Sequence, residues 1–543
     1  MFQQLLTPVG DSLGLSFLVA ILPVVAVLVL LGVFRRPAWQ AALAGLITGL
    51  IVAIAAWHMP VDLALNSVAN GAVFAAWPVM WIVVNALLLY NIAVKSGRFD
   101  AFRVWVIDHL PNDRRIVLLV IGFCFGALLE GVSGFGTPVA ITSSLLILVG
   151  FEPLEALVFV LIFNTAPVAF GALGAPVTVL GAVTGLPANA LGAMIGRQLP
   201  FMALLLPFYV MFVYGGWRSV KSLWPVLLVS GGSFAISQFV ASNLLDYALT
   251  DVLASLGSLV ATLVFLQLWK PRSDPAFLIQ REVLAHDRGA PMPKAASVPS
   301  WQGWLPWLLV SAVVIVWTHM KWFAIDQQSI QWPGLHNAIS ITLYGGKPYA
   351  AIWVFQPLGT GTAILVSCVL TALLVRLSPG EFVGCVGKTI KQAWLAVVTV
   401  MLIVALAYLM NYSGLAYTMG KAVASTGQLF ILLSPFLGWV AVMLSGSDTS
   451  GNALFGNLQV VAARQLGLNP VLIAATNSSG GVMGKMISPQ NIATGVSVTN
   501  LKGREGEVLA RTFWHSIILT LVLSFLVVLQ QYVFPSIIPA IGG

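Results

Sequence analysis

Charge is what this sequence has least of. Only 8% of its 543 residues are Asp, Glu, Lys or Arg, while 59% are hydrophobic. A soluble domain carries about 25% charged residues. With a mean hydropathy of +0.95 along its length, the chain argues against soluble folds and has lipid as its natural solvent. Cysteine is also scarce. Cys124, Cys368 and Cys385 lie in or beside apolar runs, form no Cys-x-x-Cys or Cys/His spacing, and predict neither a disulfide nor a metal site. The six histidines are scattered, with no His-Glu-x-x-His, nucleotide loop or haem-ligating pair. An enzyme and a bound cofactor are therefore not expected. Residues 1–10 hold no Lys or Arg, so the first apolar run reads as a retained span rather than a cleaved signal.

What is present is a series of apolar runs long enough to cross a bilayer. The expected fold is an all-α polytopic membrane protein with about 12 full spans: 13–34, 38–57, 72–94, 154–182, 190–214, 222–244, 250–269, 303–320, 352–376, 390–411, 470–497 and 511–535. Regions 115–150 and 428–466 are apolar but interrupted by Gly, Ser and one carboxylate. They read as re-entrant hairpins, which membranes tolerate only where protein buries them. The formal charge of +8 does not point to nucleic acid, because the basic residues sit in short loops. With both termini outside, 19 of the 26 Lys and Arg fall on the cytoplasmic side and only Lys321, Lys347 and Lys421 outside, the positive-inside pattern. A multi-pass bacterial inner-membrane protein with periplasmic termini is expected. A polar stretch, 270–302, reads as a cytoplasmic linker between halves 1–269 and 303–543. The outer loop 321–350 carries no recognisable chemistry.

The halves share landmarks. Trp77 precedes Gly97 by 20 residues, as Trp394 precedes Gly414; Gly97 to Gly131 spans 34, Gly414 to Gly446 spans 32. Gly131 to Asn164 spans 33 and Gly446 to Asn477 spans 31; Asn164 to Pro176 and Asn477 to Pro489 each span 12. The matched spans run in opposite directions, so the repeat is inverted, an arrangement typical of secondary transporters whose substrate site lies between the repeats. Gly and Ser serving only close helix packing would not explain the paired spacing.

Four segments hold the polar chemistry. The hairpin tips run Glu130-Gly131-Val132-Ser133-Gly134-Phe135-Gly136-Thr137-Pro138 and Ser445-Gly446-Ser447-Asp448-Thr449-Ser450-Gly451-Asn452. The broken helices, 154–182 and 470–497, carry Asn164, Thr165, Gly171, Gly174 and Pro176, and Asn477, Ser478, Gly484, Lys485, Ser488 and Pro489. Thr137-Pro138, Ala175-Pro176 and Ser488-Pro489 have the form of half-helix starts. Their free N–H groups and dipole ends suit a small carboxylate. The residues singled out for substrate are Ser133, Gly134, Gly136, Asn164, Thr165, Ser447, Asp448, Thr449, Asn477, Ser478, Lys485 and Ser488. Glu130 and Asp448 are acids at membrane depth, where an ionisable group reads as functional by default; the competing reading is an ion pair with Lys485 or Arg197. Arg197 reads as a span-end anchor and His515 as a packed, hydrogen-bonded histidine.

At these segments the chain resembles the lactate permease family, within a larger superfamily of inverted-repeat carriers. The strings are GFCFGALLEG at 122–131, SGFGTPVAIT at 133–142, NTAPVAFGA at 164–172, GRQLPF at 196–201, NYSGLA at 411–416, SGSDTSGNALFG at 445–456 and GKMISPQNIA at 484–493. The resemblance spans about 10–535 and implies uptake of L-lactate, D-lactate or glycolate with protons, by an elevator-like movement of the hairpins and broken helices. Sodium coupling of a carboxylate is the alternative. The implied partners are a small monocarboxylate, protons and lipid, and a homodimer is compatible with them. For proton coupling the candidates are Glu130 and Asp448. Glu130 follows Ala127-Leu128-Leu129, an apolar setting that suits the carrier. Asp448, among Ser447, Thr449 and Ser450, suits binding or gating.

Overall fold

The computed structural model describes residues 1–540 apart from 109, 133–136, 272–273, 280–297, 500 and 502. The expected site residues Ser133, Gly134 and Gly136, and much of the linker, thus lie outside the described residues. Among the described residues, nine helices are long and apolar enough to cross a membrane, or up to eleven when each of two bent pairs counts as one span. In hydrocarbon a helix is the one open structure that satisfies its own backbone, and the apolar runs adopt it almost throughout.

Glycine and proline set the breaks. One continuous helical stretch, Leu199–Leu244, contains Gly216 at φ +66°. A Cβ on Gly231 would lie 2.9 Å from the Leu204 carbonyl. Along a straight helix those residues would stand about 40 Å apart. The chain therefore doubles back at Gly216, giving the two antiparallel spans expected at 190–214 and 222–244. Pro153–Phe163 and the helix after it are bent by 63°. Between them Ala172, Leu173 and Gly174 all have positive φ, so regular helix resumes at Ala175-Pro176. In the second half Pro470–Lys485 stops and Pro489–Val498 begins after Ser488. The hairpin arms are Arg114–Val132 with Thr137–Leu148, and Gly427–Ser445 with Asp448–Gln465.

The expected span 352–376 is shorter than its apolar run. Ile352–Phe355 is a strand paired antiparallel with Gln328–Gln331, and the helix is only Thr360–Leu374. At 15 residues it covers about 22 Å. Alternating Ile352, Trp353, Val354 and Phe355 read equally well as membrane or strand, and pairing with the loop decided. A second small sheet joins Phe2–Gln3 to Ile339–Ile341 and Lys347–Pro348.

Two faces can be traced. On one, Lys95 meets Glu381 at 3.5 Å, Arg98 donates to Gln302 at 3.0 Å, and Ile279 N donates to Asn112 O at 3.3 Å. On the other, residues 2–4 pair with the loop around 339, Thr318 donates to Asp246 at 3.3 Å, and Arg197 bridges Asn243 to the Ile537 carbonyl. Leu305–His319 and Pro379–Ser413 each run from the first face to the second. Both ends of the described chain thus lie opposite residues 274–279 and 298–302. Trp81–Lys95 ends on the first face before Gly97 (φ +72°), whereas its counterpart Pro379–Ser413 ends on the second before Gly414 (φ +101°). Each is followed by a short helix and then a hairpin, so the same element order recurs with opposite direction.

Candidate functional site

The hairpin tips and helix breaks meet in the interior. Gly438 and Gly480 let the second hairpin and second broken helix cross almost backbone to backbone: a Cβ on Gly438 would collide with the Asn477 carbonyl, and one on Gly480 with Pro435. That close approach lowers Asp448 onto the broken helix. Its Oδ2 accepts from Ser478 Oγ at 2.5 Å and from Asn452 Nδ2 at 3.2 Å. Its Oδ1 faces Gly481, where a Cβ would stand 2.5 Å away, and has no hydrogen-bond partner among the described residues.

The first half is built on the same plan. Glu130 sits against Gly171 of the first broken helix, where a Cβ would lie 3.0 Å from Oε1. Its Oε2 accepts from Asn164 Nδ2 at 3.0 Å. Its Oε1 lies 2.6 Å from Lys485 Nζ, contributed by the second broken helix 355 residues away. Both side chains are buried, at 3% and 7% exposure. A second link between the halves runs from Asn452 Nδ2 to the Pro176 carbonyl at 3.2 Å. A buried charge without a partner is strongly unfavourable, so the Glu130–Lys485 pair neutralises two charges that neither half could hold alone.

The other expected residues are placed as follows. Ser447 caps the helix Asp448–Gln465, its hydroxyl accepting from Ser450 N at 3.3 Å. Thr449 is half-buried in that first turn. Ser488 is fully buried, its hydroxyl is without partner among the described residues, and a Cβ on Gly446 would lie 2.8 Å from it; the second helix break thus faces the second tip. Asn477 donates to Asn452 Oδ1 at 2.9 Å and accepts from Gln459 at 2.9 Å, and Thr165 donates to its own helix at Ile162 O, 2.8 Å. Those two are engaged with protein rather than open to a ligand. Arg197 anchors a span end through Asn243 at 2.7 Å and Ile537. His515 Nδ1 lies 2.5 Å from Tyr209 Oη, a packed histidine.

Two residues were passed over by the sequence reading. Asn452 stood in a quoted string but was given no role. Asp251 opens the helix Thr250–Leu268, is 1% exposed, and packs against Gly131. The signal for Asp251 was available, since it is the single charged residue of the run 250–269 and intramembrane acids are functional by default.

The arrangement suits a small anion. Half-helices start at Ala175 and Pro489, with N–H groups unused by their own helix. Among the described residues the Ser488 hydroxyl is unpartnered and can donate to an anion, the unpartnered Asp448 oxygen can only accept, and Lys485 carries a positive charge that is paired here with Glu130. On the face of Lys95 and Glu381, a groove of about 410 Å³ is lined by Tyr90, Asn91, Ile141, Lys388, Lys391 and Gln392, a basic vestibule.

The family model described as L-lactate permease matches residues 16–534. The chain is 40% identical over 566 residues to the L-lactate permease of Bacillus subtilis, covering 99% of this chain and 100% of that one. It is 39% identical over 557 residues to the glycolate permease GlcA of Escherichia coli, covering 99% of each. In fold it is similar to the solved MtrF of Neisseria gonorrhoeae, with a TM-score of 0.50 and 14% identity over 93% of this chain and 97% of that one.

Proposed function

Since this chain belongs to the L-lactate permease family, we propose that it imports lactate or glycolate together with protons across the bacterial inner membrane. The observation that carries the reading is the buried Glu130–Lys485 pair at 2.6 Å. While the pair is closed, Lys485 is neutralised and the site holds no free positive charge for a carboxylate. A proton on Glu130 breaks the pair and frees Lys485. Substrate and proton then enter together, because the anion needs the cation that only the proton releases. Protonation also serves the electrical balance. An anion moving inward alone would oppose an inside-negative potential at about 2.3 kcal/mol per 100 mV.

In this scheme the substrate carboxylate lies between Lys485 and the half-helix starts. Ser488, Ser447 and Thr449 face its 2-hydroxyl, Ser478 holds Asp448, which acts in binding or gating, and Ser133, Gly134 and Gly136 are kept as substrate residues on the sequence of the first tip alone. The halves 1–269 and 303–543 are repeats around this site, the tips do not cross the bilayer, and 270–302 is cytoplasmic with both termini periplasmic. Reporter fusions at 285 and 543 would report opposite sides.

The test is uptake into proteoliposomes with imposed pH or sodium gradients. An acid exterior should drive labelled lactate or glycolate inward, sodium should not, and succinate should compete poorly. Uptake that follows sodium and ignores pH, or inhibition by succinate but not lactate, contradicts the proposal. Glu130→Gln leaves Lys485 permanently free, so it should lose pH-driven accumulation while keeping lactate–lactate exchange. Full accumulation by that variant would move the coupling role elsewhere, and the same assay on Asp448→Asn would show whether the two roles are reversed.

A further inference from the structure

Asp251 is a buried acid that the scheme above does not use. Among the described residues neither of its carboxylate oxygens has a hydrogen-bond partner, and the hydroxyl of Thr250 beside it is equally buried and unpartnered. A purely structural acid in an apolar interior accepts hydrogen bonds, because a bare polar group there costs several kcal/mol. Its setting gives it another use. A Cβ on Gly131 would lie 2.7 Å from Asp251 Cβ and 3.3 Å from Val252 N, so Asp251 is pressed against the residue next to Glu130. Gly131 brings Glu130 beside it in the chain, and Glu130 in turn holds Lys485 of the second broken helix. On its own segment the titratable groups are Asp246 and Tyr247. Tyr247 bonds Thr178 at 3.0 Å, and Asp246 accepts from Thr318 at 3.3 Å on the face that carries the termini. Leu249 and Val252 are fully buried on either side. Asp246, Thr250 and Asp251 thus place polar side chains along one stretch of chain from that face to the hairpin that carries Glu130, with no hydrogen bond joining them among the described residues.

We propose that Asp251 is the proton-loading residue of the Glu130–Lys485 pair. A proton arriving along 246–250 is held on Asp251 and passes to the Glu130 carboxylate. The Asp251 O–H bond breaks, a Glu130 O–H bond forms, and the negative charge moves from Glu130 to Asp251 while Lys485 is released. The next proton from the same face restores Asp251. This rests on the proton-coupled reading above, and the two fail differently. If the native protein shows no pH-driven accumulation, the coupling reading itself is wrong.

Given native coupling, Asp251→Asn should lower the initial rate of pH-driven lactate uptake by about tenfold or more. It should leave lactate–lactate exchange at the native rate, because exchange moves no net proton. Asp251→Glu should restore much of the loss. Native pH-driven rates in Asp251→Asn, or uptake and exchange falling together, would overturn the assignment. Should Asp251→Asn not reach the membrane, Thr250→Val removes the adjacent hydroxyl at similar volume. A selective fall in pH-driven uptake supports the route, and an unchanged rate overturns it.

Discussion

The two halves hold their acids at different points of the same motif. Glu130 lies before its break, near the C-terminal end of the helix Gly126–Val132. Asp448 lies after its break, as the first residue of the helix Asp448–Gln465. A helix N-terminus stabilises negative charge and a C-terminus opposes it. Asp448 is accordingly held by neutral donors of its own half, Ser478 and Asn452, whereas Glu130 takes a cation from the other half. The donors have also exchanged places. Asn164 and Asn477 are equivalent in the repeat, as are Thr165 and Ser478. In the first half the amide of Asn164 holds the acid and the hydroxyl of Thr165 turns back to its own helix. In the second the hydroxyl of Ser478 holds the acid and the amide of Asn477 ties helices together. One scaffold thus gives an acid held by neutral donors of its own half and another held by a cation from the opposite half, so that opening the second contact releases a charge.

This contrast can be broken most severely at Lys485. Lys485→Met should abolish uptake and destabilise the protein by about 3–5 kcal/mol, since it strands a buried carboxylate. Adding Glu130→Gln should recover the stability without the transport. Thermal unfolding in detergent reads both, and a Lys485→Met protein as stable as the native one would mean that the pair is not what neutralises Glu130.

An intermediate effect is expected at Ser478. Ser478→Ala removes the shortest donor to Asp448 and should cost about 1.5–3 kcal/mol, the range for hydrogen bonds to charged groups. Asn164→Ala should cost less than Ser478→Ala, because Lys485 still holds Glu130. The reverse order in the same unfolding assay would contradict the asymmetry drawn between the halves. The smallest change belongs to Thr165→Val. Its hydroxyl bonds only its own helix, so stability should fall by about 1 kcal/mol or less, and uptake should stay within about twofold of native. A loss of transport as large as that of Ser478→Ala would show that Thr165 reaches the substrate after all.

Hydropathy made the helical architecture legible, and Gly and Pro marked its interruptions at 171–176, 446 and 488–489. Hydropathy misjudged two boundaries. It took 352–355 as membrane because four apolar residues look alike in a strand and in a span. It started another span at 390, although the helix Pro379–Ser413 extends toward Ser378, whose hydroxyl caps it with Glu381; Glu381, Lys388 and Lys391 hid those turns from an apolar count. In the site, Glu130, Asp448 and Lys485 stood out as charges in apolar surroundings and an ion pair with Lys485 was one open reading, but which acid Lys485 joins was not legible. Asp251 was overlooked because a single acid at the start of a long run reads as a helix end.

The amino-acid sequence by itself determined where the chain must be helical, where it must break and which groups are too polar to be idle in lipid. These follow from the transfer of each residue out of water and from local backbone preference, and both act over a few neighbouring positions. Only the tertiary structure decided that Lys485 neutralises Glu130, that Ser478 rather than Asn477 holds Asp448, and that Asp251 stands bare beside Gly131. Pairings between charges hundreds of residues apart depend on how helices cross, and the crossings are set by packing at Gly438, Gly480 and their neighbours, which no local pattern encodes.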